Sequence, residues 1–245
     1  VVTLATGRLS AGALPLAREL DLDAPLVCAD GAVLFCPTAR APLSIVAVRP
    51  EASRALLESL RRLFLAPFLF THEAVIGAAS DSALFPHLTG WTPTMQACDD
   101  LDAACHADGM AAPVMAIGVG SAGAAESAET TLRAHPDLGD DVDRFPIGAT
   151  GHWIVRLAPS GCSKATGLAA LARRLGFEPG EVATMGDWHN DLEMLGWSGW
   201  SFAMGHAPDE VKRAAKQTLT ATSASGGGVA EVVGRLEAAR RRPRR

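Results

Sequence analysis

Residues 185–195 read MGDWHNDLEML, setting Asp187, Trp188, His189, Asn190 and Asp191 side by side between apolar runs in a chain with only 20% charged residues. The run just upstream, EVATM (181–185), has the composition of a short buried strand, and Gly186 marks the turn into the next helix. Polar groups at the carboxyl end of a strand in an open α/β sheet face the crevice where ligands bind. Asp and Asn are equally good helix caps. Taken alone, the stretch therefore reads either as a ligand-facing cluster or as a capped helix start. Two further stretches carry polar groups at comparable places: ATGR (5–8), which follows the apolar run VVTLA, and Ser163-Lys164, which opens a helical pattern.

The elements that must position these groups follow from texture. With 245 residues and 48% apolar content, the chain can bury one large core or two smaller ones. VVTLA (1–5) reads as a strand, LSAGALPLARELDL has helical spacing, and PLVCADGAVLF (25–35) is a strand pair around Asp30-Gly31. From about Ser44 the pattern changes to short strands punctuated by Pro and Gly: IVAVR (45–49), a helix from Glu51 to Leu65, FLFTH, PVMAIGVG, another helix, and GHWIVRLAP (151–159). This is the texture of an α+β insert. After Gly161 the first texture returns: SKATGLAALARRLGF as an amphipathic helix, EVATM as a strand, DLEMLGW as a helix start, WSFAMG as a strand and PDEVKRAAKQ as a helix. The expected architecture is a split α/β core, residues 1–43 and 161–245, interrupted by a second domain at 44–160.

Charge and cysteine usage narrow the function. The formal charge of −5 includes five arginines among the last six residues, so the remaining chain carries −10. An acidic body argues against nucleic acid as a partner, and the Arg-rich tip reads as a solvated tail. Five cysteines without a CxxC pair fit reduced thiols in a cytoplasmic protein better than a disulfide framework or a zinc site. No apolar run reaches the length of a spanning helix. The chain begins at Val1 rather than Met, so the natural start need not be present.

ATGR after a strand, Ser163-Lys164 opening a helix, and GDWHND (186–191) after a strand occur in a fixed order that resembles the haloacid dehalogenase (HAD) superfamily. More specifically, the chain resembles its Cof-type sugar phosphatases, in which a large α+β cap lies between the second and third motifs. FAMGHAPDEVKRAA (202–215), GGGVAEVV (226–233) and the strand-flanked DGAVL (30–34) extend the resemblance over nearly the whole chain. It implies a HAD-like Rossmannoid parallel sheet with an inserted α+β cap, acting on a small phosphorylated metabolite with Mg²⁺ through an aspartyl-phosphate. Phosphoryl transfer depends on positioning and charge neutralisation. By resemblance, Thr6 and the Gly7 amide would donate to phosphate oxygens, Lys164 would supply the cation, and Arg8 would contact substrate or brace the sheet edge. Asp187 would bind Mg²⁺, with Asn190 and Asp191 adding first- or outer-sphere contacts, a set of hard oxygens suited to that ion. His189 falls at a variable position and reads as a surface group. For Lys164 the competing reading is a solvated lysine in a helix's first turn.

One family element is absent from the sequence. The DxDGT motif, which carries the nucleophilic and the acid/base aspartates, precedes the TGR segment in the family, and nothing precedes VVTLATGR here. CADGAVL (28–34) does not replace it: Cys28 stands at the nucleophile's place, Ala32 at the threonine's, and the segment follows TGR. A leading strand and helix of roughly 35 to 45 residues, one βα unit with its loops, is expected upstream. Alternatives remain. A noncatalytic phosphometabolite sensor would keep the cradle without the nucleophile. GVGSAGA (118–124) matches the GxGxxG/A of dinucleotide-binding oxidoreductases, with acidic groups at the usual distance only in the LGDDVD loop. DDLDAACHAD (99–108) could hold a metal through its carboxylates and His106 but reads more simply as an exposed acidic helix. Trp188, Trp197 and Trp200 read as packing residues, with a substrate-stacking role for Trp188 as the alternative.

Without those aspartates, residues 1–245 on their own are expected to hydrolyse no phosphate monoester above background. Measurable turnover of p-nitrophenyl phosphate by the purified 245-residue chain would contradict this chemistry.

Overall fold

The computed structural model describes residues 1–106, 112–135 and 142–241 and divides the chain into two compact units, Val1–Cys162 and Ser163–Arg245. The chain is mixed α/β, the class its sequence implies. In the first unit, helix α1 (Ser10–Glu19) precedes a three-stranded antiparallel sheet of β1 (Leu26–Cys28), β2 (Val33–Cys36) and β3 (Ala41–Ile45). Two expected strands differ. VVTLA forms an isolated parallel bridge, Ala5 to Val27, flanked by the bonds of Thr6 N–H to Val27 O and Val27 N–H to Leu4 O, instead of a strand. The strand expected at IVAVR ends at Ile45, four residues earlier; beyond it single hydrogen bonds, Val46 N–H to Ala32 O and Val48 N–H to Pro113 O, guide the chain out of the sheet.

The rest of this unit is built on a six-stranded sheet in the order β6-β5-β4-β7-β9-β8. Its strands are β4 (Ala66–Phe70), β5 (Val75–Ala78), β6 (Met95–Cys98), β7 (Met115–Gly120), β8 (Val142–Pro146) and β9 (Trp153–Leu157). Helices α2 (Pro50–Arg62), α3 (Leu101–His106) and α4 (Ala122–Arg133) accompany them. Alternation along β4 and β7 separates two cores: Phe68, Phe70, Met115 and Ile117 pack with Leu9, Ala13 and Leu26, whereas Leu69 and Ala116 pack with Leu56, Leu57 and Leu60 of α2. Each fully buried large side chain contributes about 1.5–3 kcal/mol.

In the second unit, α5 (Lys164–Leu175) leads to β10 (Ala183–Gly186), α6 (Leu192–Trp197), β11 (Trp200–Ala203), α7 (Asp209–Ala214), β12 (Gln217–Thr218) and α8 (Gly228–Arg241). The three strands are parallel, ordered β10-β11-β12. Thr166 and Ser163 form a reciprocal capping box at the start of α5, and Gly176 ends it in the left-handed conformation (φ 76°). The helix expected to continue through Lys216 and Gln217 stops at Ala214: Gln217 and Thr218 pair with β11, while Lys216 Nζ donates to the carbonyls of Ser198 and Gly199 after α6.

Helix α8 is tied to the segment after β12 by Glu231, whose carboxylate accepts the backbone N–H of Thr220 and Ala221 and the Thr220 hydroxyl. The amides of Ala221 and Thr220 hold this carboxyl at about 2, below its ordinary 4.5. Because the folded value is depressed, the stabilisation is present above the unfolded pKa and is lost as pH falls from about 4.5 towards about 2. Melting temperatures of the wild type and Glu231→Gln should differ at neutral pH and draw together as pH is lowered through that window.

Candidate active site

Strand β10 ends at Gly186, and the five residues that follow turn back towards α6 through a 3-10 turn, His189–Asp191. The turn is closed by Asp191, which is 3% exposed. Its Oδ2 accepts the N–H of Asp187 at 2.9 Å and of Trp188 at 3.0 Å, and its Oδ1 accepts Lys164 Nζ at 2.6 Å. Gly186 makes room for this: a Cβ there would lie 2.5 Å from the Cβ of Asp191. Lys164, at the first position of α5, is 8% exposed, so it is not the solvated lysine that its place in a first turn would allow. Burial of the pair strengthens its attraction, and the two amides share in neutralising the carboxylate.

Asp187 points outward. Its side chain is half exposed, and its Oδ2 lies 2.9 Å from Nε2 of His206, in the loop after β11. Asn190 is exposed within the 3-10 turn, and His189, also half exposed, faces Glu210 at 3.4 Å. Trp188 is 59% exposed and meets His189 edge-on, and Trp200 is also exposed, so the packing role expected of these two tryptophans is not what the structure has: Trp188 lies beyond the carboxyl end of β10 and Trp200 at the start of β11. His206 escaped the sequence reading. Its 19-residue separation from Asp187 is bridged only because β10 and β11 are parallel neighbours, with Gly186 opposite Ala203.

In the first unit, Thr6, Gly7 and Arg8 form a loop after the Ala5 bridge. Thr6 Oγ1 accepts Arg8 N–H at 3.1 Å, which leaves the hydroxyl proton for an oxygen acceptor. The loop is fastened to the turn between β1 and β2: Asp30 N–H donates to Thr6 O and Ala29 N–H to Arg8 O. These bonds hold Ala29 and Asp30 at φ 48° and 49°, a left-handed conformation that is unfavourable for alanine. The Asp30 carboxylate sits against Gly7, 3.2 Å from where a Cβ would be, and accepts Arg156 Nη1 at 2.5 Å. Arg156, on β9, also makes a two-point contact with Asp143 at 2.9 and 2.6 Å. Burial opposes the guanidinium charge, but the bonds and charges of Asp143 and Asp30 outweigh it and raise its pKa. Arg156 was legible only as a lone charge in the apolar strand WIVRL.

The other candidates separate from these groups. Cys28 is fully buried in β1 and its thiol is pushed up to about 12 by burial, which agrees with rejecting CADGAVL as a nucleophile motif. GVGSAGA runs from β7 into α4, with Ser121 as N-cap, but β7 is antiparallel to both its neighbours. The dinucleotide fingerprint belongs to a parallel βαβ unit, so this turn does not supply it; Asp140 and Asp141 lie outside the described residues. In DDLDAACHAD, Asp100 caps α3 through the N–H of Asp102 and Ala103, while the side chain of His106 and Asp108 lie outside the described residues. Among the described residues, no group of three or more His, Cys, Asp or Glu side chains is arranged around a metal position. The hard, accessible carboxylate of Asp187 with the neighbouring Asn190 fits part of a Mg²⁺ shell, an ion that takes one or two protein carboxylates and completes its sphere with water and phosphate.

Residues 1–233 match the family of haloacid dehalogenase-like hydrolases, and the chain belongs to it. A haloacid dehalogenase-like hydrolase from Bacteroides thetaiotaomicron is 25% identical, with a TM-score of 0.78 over 96% of this chain and 85% of that one. A phosphoglycolate phosphatase from Aeropyrum pernix is 35% identical over 91 residues, 37% of either chain. The 5-amino-6-(5-phospho-D-ribitylamino)uracil phosphatase of Escherichia coli is 39% identical over 87 residues, 36% of this chain and 31% of that protein. The chain thus aligns with only about a third of the length of these two phosphatases.

Asp191→Asn keeps the shape of the side chain but leaves Lys164 as a buried, uncompensated charge. A loss of about 3–5 kcal/mol is expected in denaturant unfolding, and the double variant Lys164→Met/Asp191→Asn should lose less than the single one. A loss below about 1 kcal/mol would mean that the pair behaves as an exposed one.

Proposed function

We propose that the protein is a magnesium-dependent phosphatase that hydrolyses a small phosphorylated metabolite, a sugar phosphate, through an aspartyl-phosphate intermediate. The observation that carries this reading is the cluster of Lys164, Asp187 and Asp191 at the carboxyl end of a parallel strand, in a chain of the HAD-like hydrolase family. The two phosphatase relatives act on phosphorylated small molecules by name, which supports the same class of substrate here. The acidic body of the chain supports a metabolite over a nucleic acid, and five cysteines without a CxxC pair support a reducing, cytoplasmic setting.

In this reading the Thr6 hydroxyl and Gly7 amide donate to phosphate oxygens, Arg8 reaches substrate from the same loop, and Lys164 faces the charge that develops during transfer. Asp187, with Asn190, would hold Mg²⁺, which when bound neutralises phosphoryl charge and orients the phosphate. Asp191 acts through the groups it holds, keeping Lys164 and the Asp187 amide in place. An aspartate carboxylate attacks phosphorus as the ester P–O bond breaks, and an acid protonates the departing oxygen. Water then attacks the aspartyl-phosphate, gives its proton to the same group and releases inorganic phosphate and the carboxylate. We assign the attacking aspartate and its acid/base partner to residues outside Val1–Arg245. What supports this is that β10 has β11 as its one strand neighbour among the described residues, so its other edge can receive a strand. Residues 44–160 would serve as the cap between core segments 1–43 and 161–245, selecting the leaving group.

The test is a pair of variants in the complete protein. Asp187→Asn should weaken Mg²⁺ dependence in a way that excess Mg²⁺ partly restores, whereas Lys164→Ala should lower kcat and kcat/KM together, by roughly 10² or more, without rescue. Unchanged Mg²⁺ dependence in Asp187→Asn would remove that residue from the metal site. Phosphate-ester binding without turnover in the wild type would make the protein a sensor instead.

A further inference from the structure

The contact of His206 with Asp187 is more than a surface pairing. His206 Nδ1 accepts the backbone N–H of Ser223 at 3.2 Å. A ring nitrogen that accepts carries no proton, so in the neutral imidazole the proton lies on Nε2, which faces Asp187 Oδ2 at 2.9 Å. The backbone therefore selects the tautomer, and the tautomer donates to the carboxylate. Ser223 is itself fixed. Its loop is bound at one end by Gly205 N–H to Ala221 O and by Glu231 on the amides of Thr220 and Ala221, and at the other by the mutual bonds of Thr222 and Ser225. A continuous set of hydrogen bonds thus runs from α8 through this loop to one oxygen of Asp187.

We propose that His206 is a positioning residue for the reaction: it holds Asp187 Oδ2 through Nε2–H, so that Oδ1 is the oxygen presented to a divalent cation. The proposal rests on the reading of Asp187 as a metal ligand. A carboxylate at the end of a strand, half exposed, is otherwise free to rotate about χ2 and present either oxygen. A fixed donor on one oxygen removes that freedom and lowers the entropy lost when the other binds an ion. Partners of this kind, which touch the ligand and not the metal, typically change metal affinity 10–100-fold. His189 makes a different contact: its Nδ1 lies 3.4 Å from Glu210.

Two measurements decide it. Nitrogen-15 spectra of the imidazole rings in the metal-free 245-residue chain should show His206 as the Nε2–H tautomer, with Nδ1 unprotonated; the Nδ1–H tautomer, or an averaged mixture, would overturn the proposal. In the complete protein, Mn²⁺ binding followed by electron paramagnetic resonance should weaken about 10-fold or more in His206→Phe. His206→Gln, whose amide can donate from nearly the Nε2 position, should recover most of the loss, although both variants melt within a few degrees of wild type. Wild-type Mn²⁺ affinity in His206→Phe, with affinity lost in Asp187→Asn, would overturn the positioning role and leave the metal ligand standing. Unchanged affinity in Asp187→Asn would overturn the ligand assignment and this proposal with it.

Discussion

The second unit depends on a charge taken out of water. Lys164 begins a helix and would ordinarily extend into solvent, yet it is turned inward onto Asp191, itself nearly inaccessible. Desolvating both groups is unfavourable, and attraction alone does not always offset it. Here the carboxylate is also the acceptor for two consecutive amides, so one side chain satisfies an ammonium and the turn that follows β10. The absence of a side chain at Gly186 follows from that arrangement, and the Ser163–Thr166 capping box fixes where α5, and with it Lys164, starts.

The first unit has an analogous knot around Arg156. Two carboxylates share its guanidinium, one from the neighbouring strand β8 and one from the left-handed turn after β1. The turn's strain is opposed by backbone bonds to Thr6 and Arg8, so the loop with the candidate phosphate donors is shaped by residues that do not touch phosphate. Both knots place a buried or half-buried ion pair directly beneath a loop whose own side chains are accessible.

How much of this was legible in the sequence varies with distance along the chain. The strands and helices of the second unit are local hydrophobic patterns, and β10, α5, α6 and β11 lie within a residue or two of where the pattern puts them. Asp187, Asp191 and Lys164 were visible as ordered polar groups flanking those patterns. The division of labour between the two aspartates was not, because it depends on which way each side chain turns at Gly186. His206 was hidden by a parallel strand crossing, and Asp30 and Arg156 by a separation of 126 residues that no periodicity encodes. VVTLA looked like a strand because its composition is that of one, whereas strand formation needs neighbours that composition does not count.

The same separation has a consequence for biosynthesis. Asp30 leaves the ribosome long before Arg156 is made; at 5–20 residues per second, the interval for 126 residues is about 6–25 s. Until residues 115–120 are made Leu9, Ala13, Ala17 and Leu26 lack strand β7, and throughout the interval they lack the finished strand β9, both of which complete their core. The start of this chain is thus an apolar nascent segment waiting for its partner, the period in which a chaperone that shields such segments has most to do.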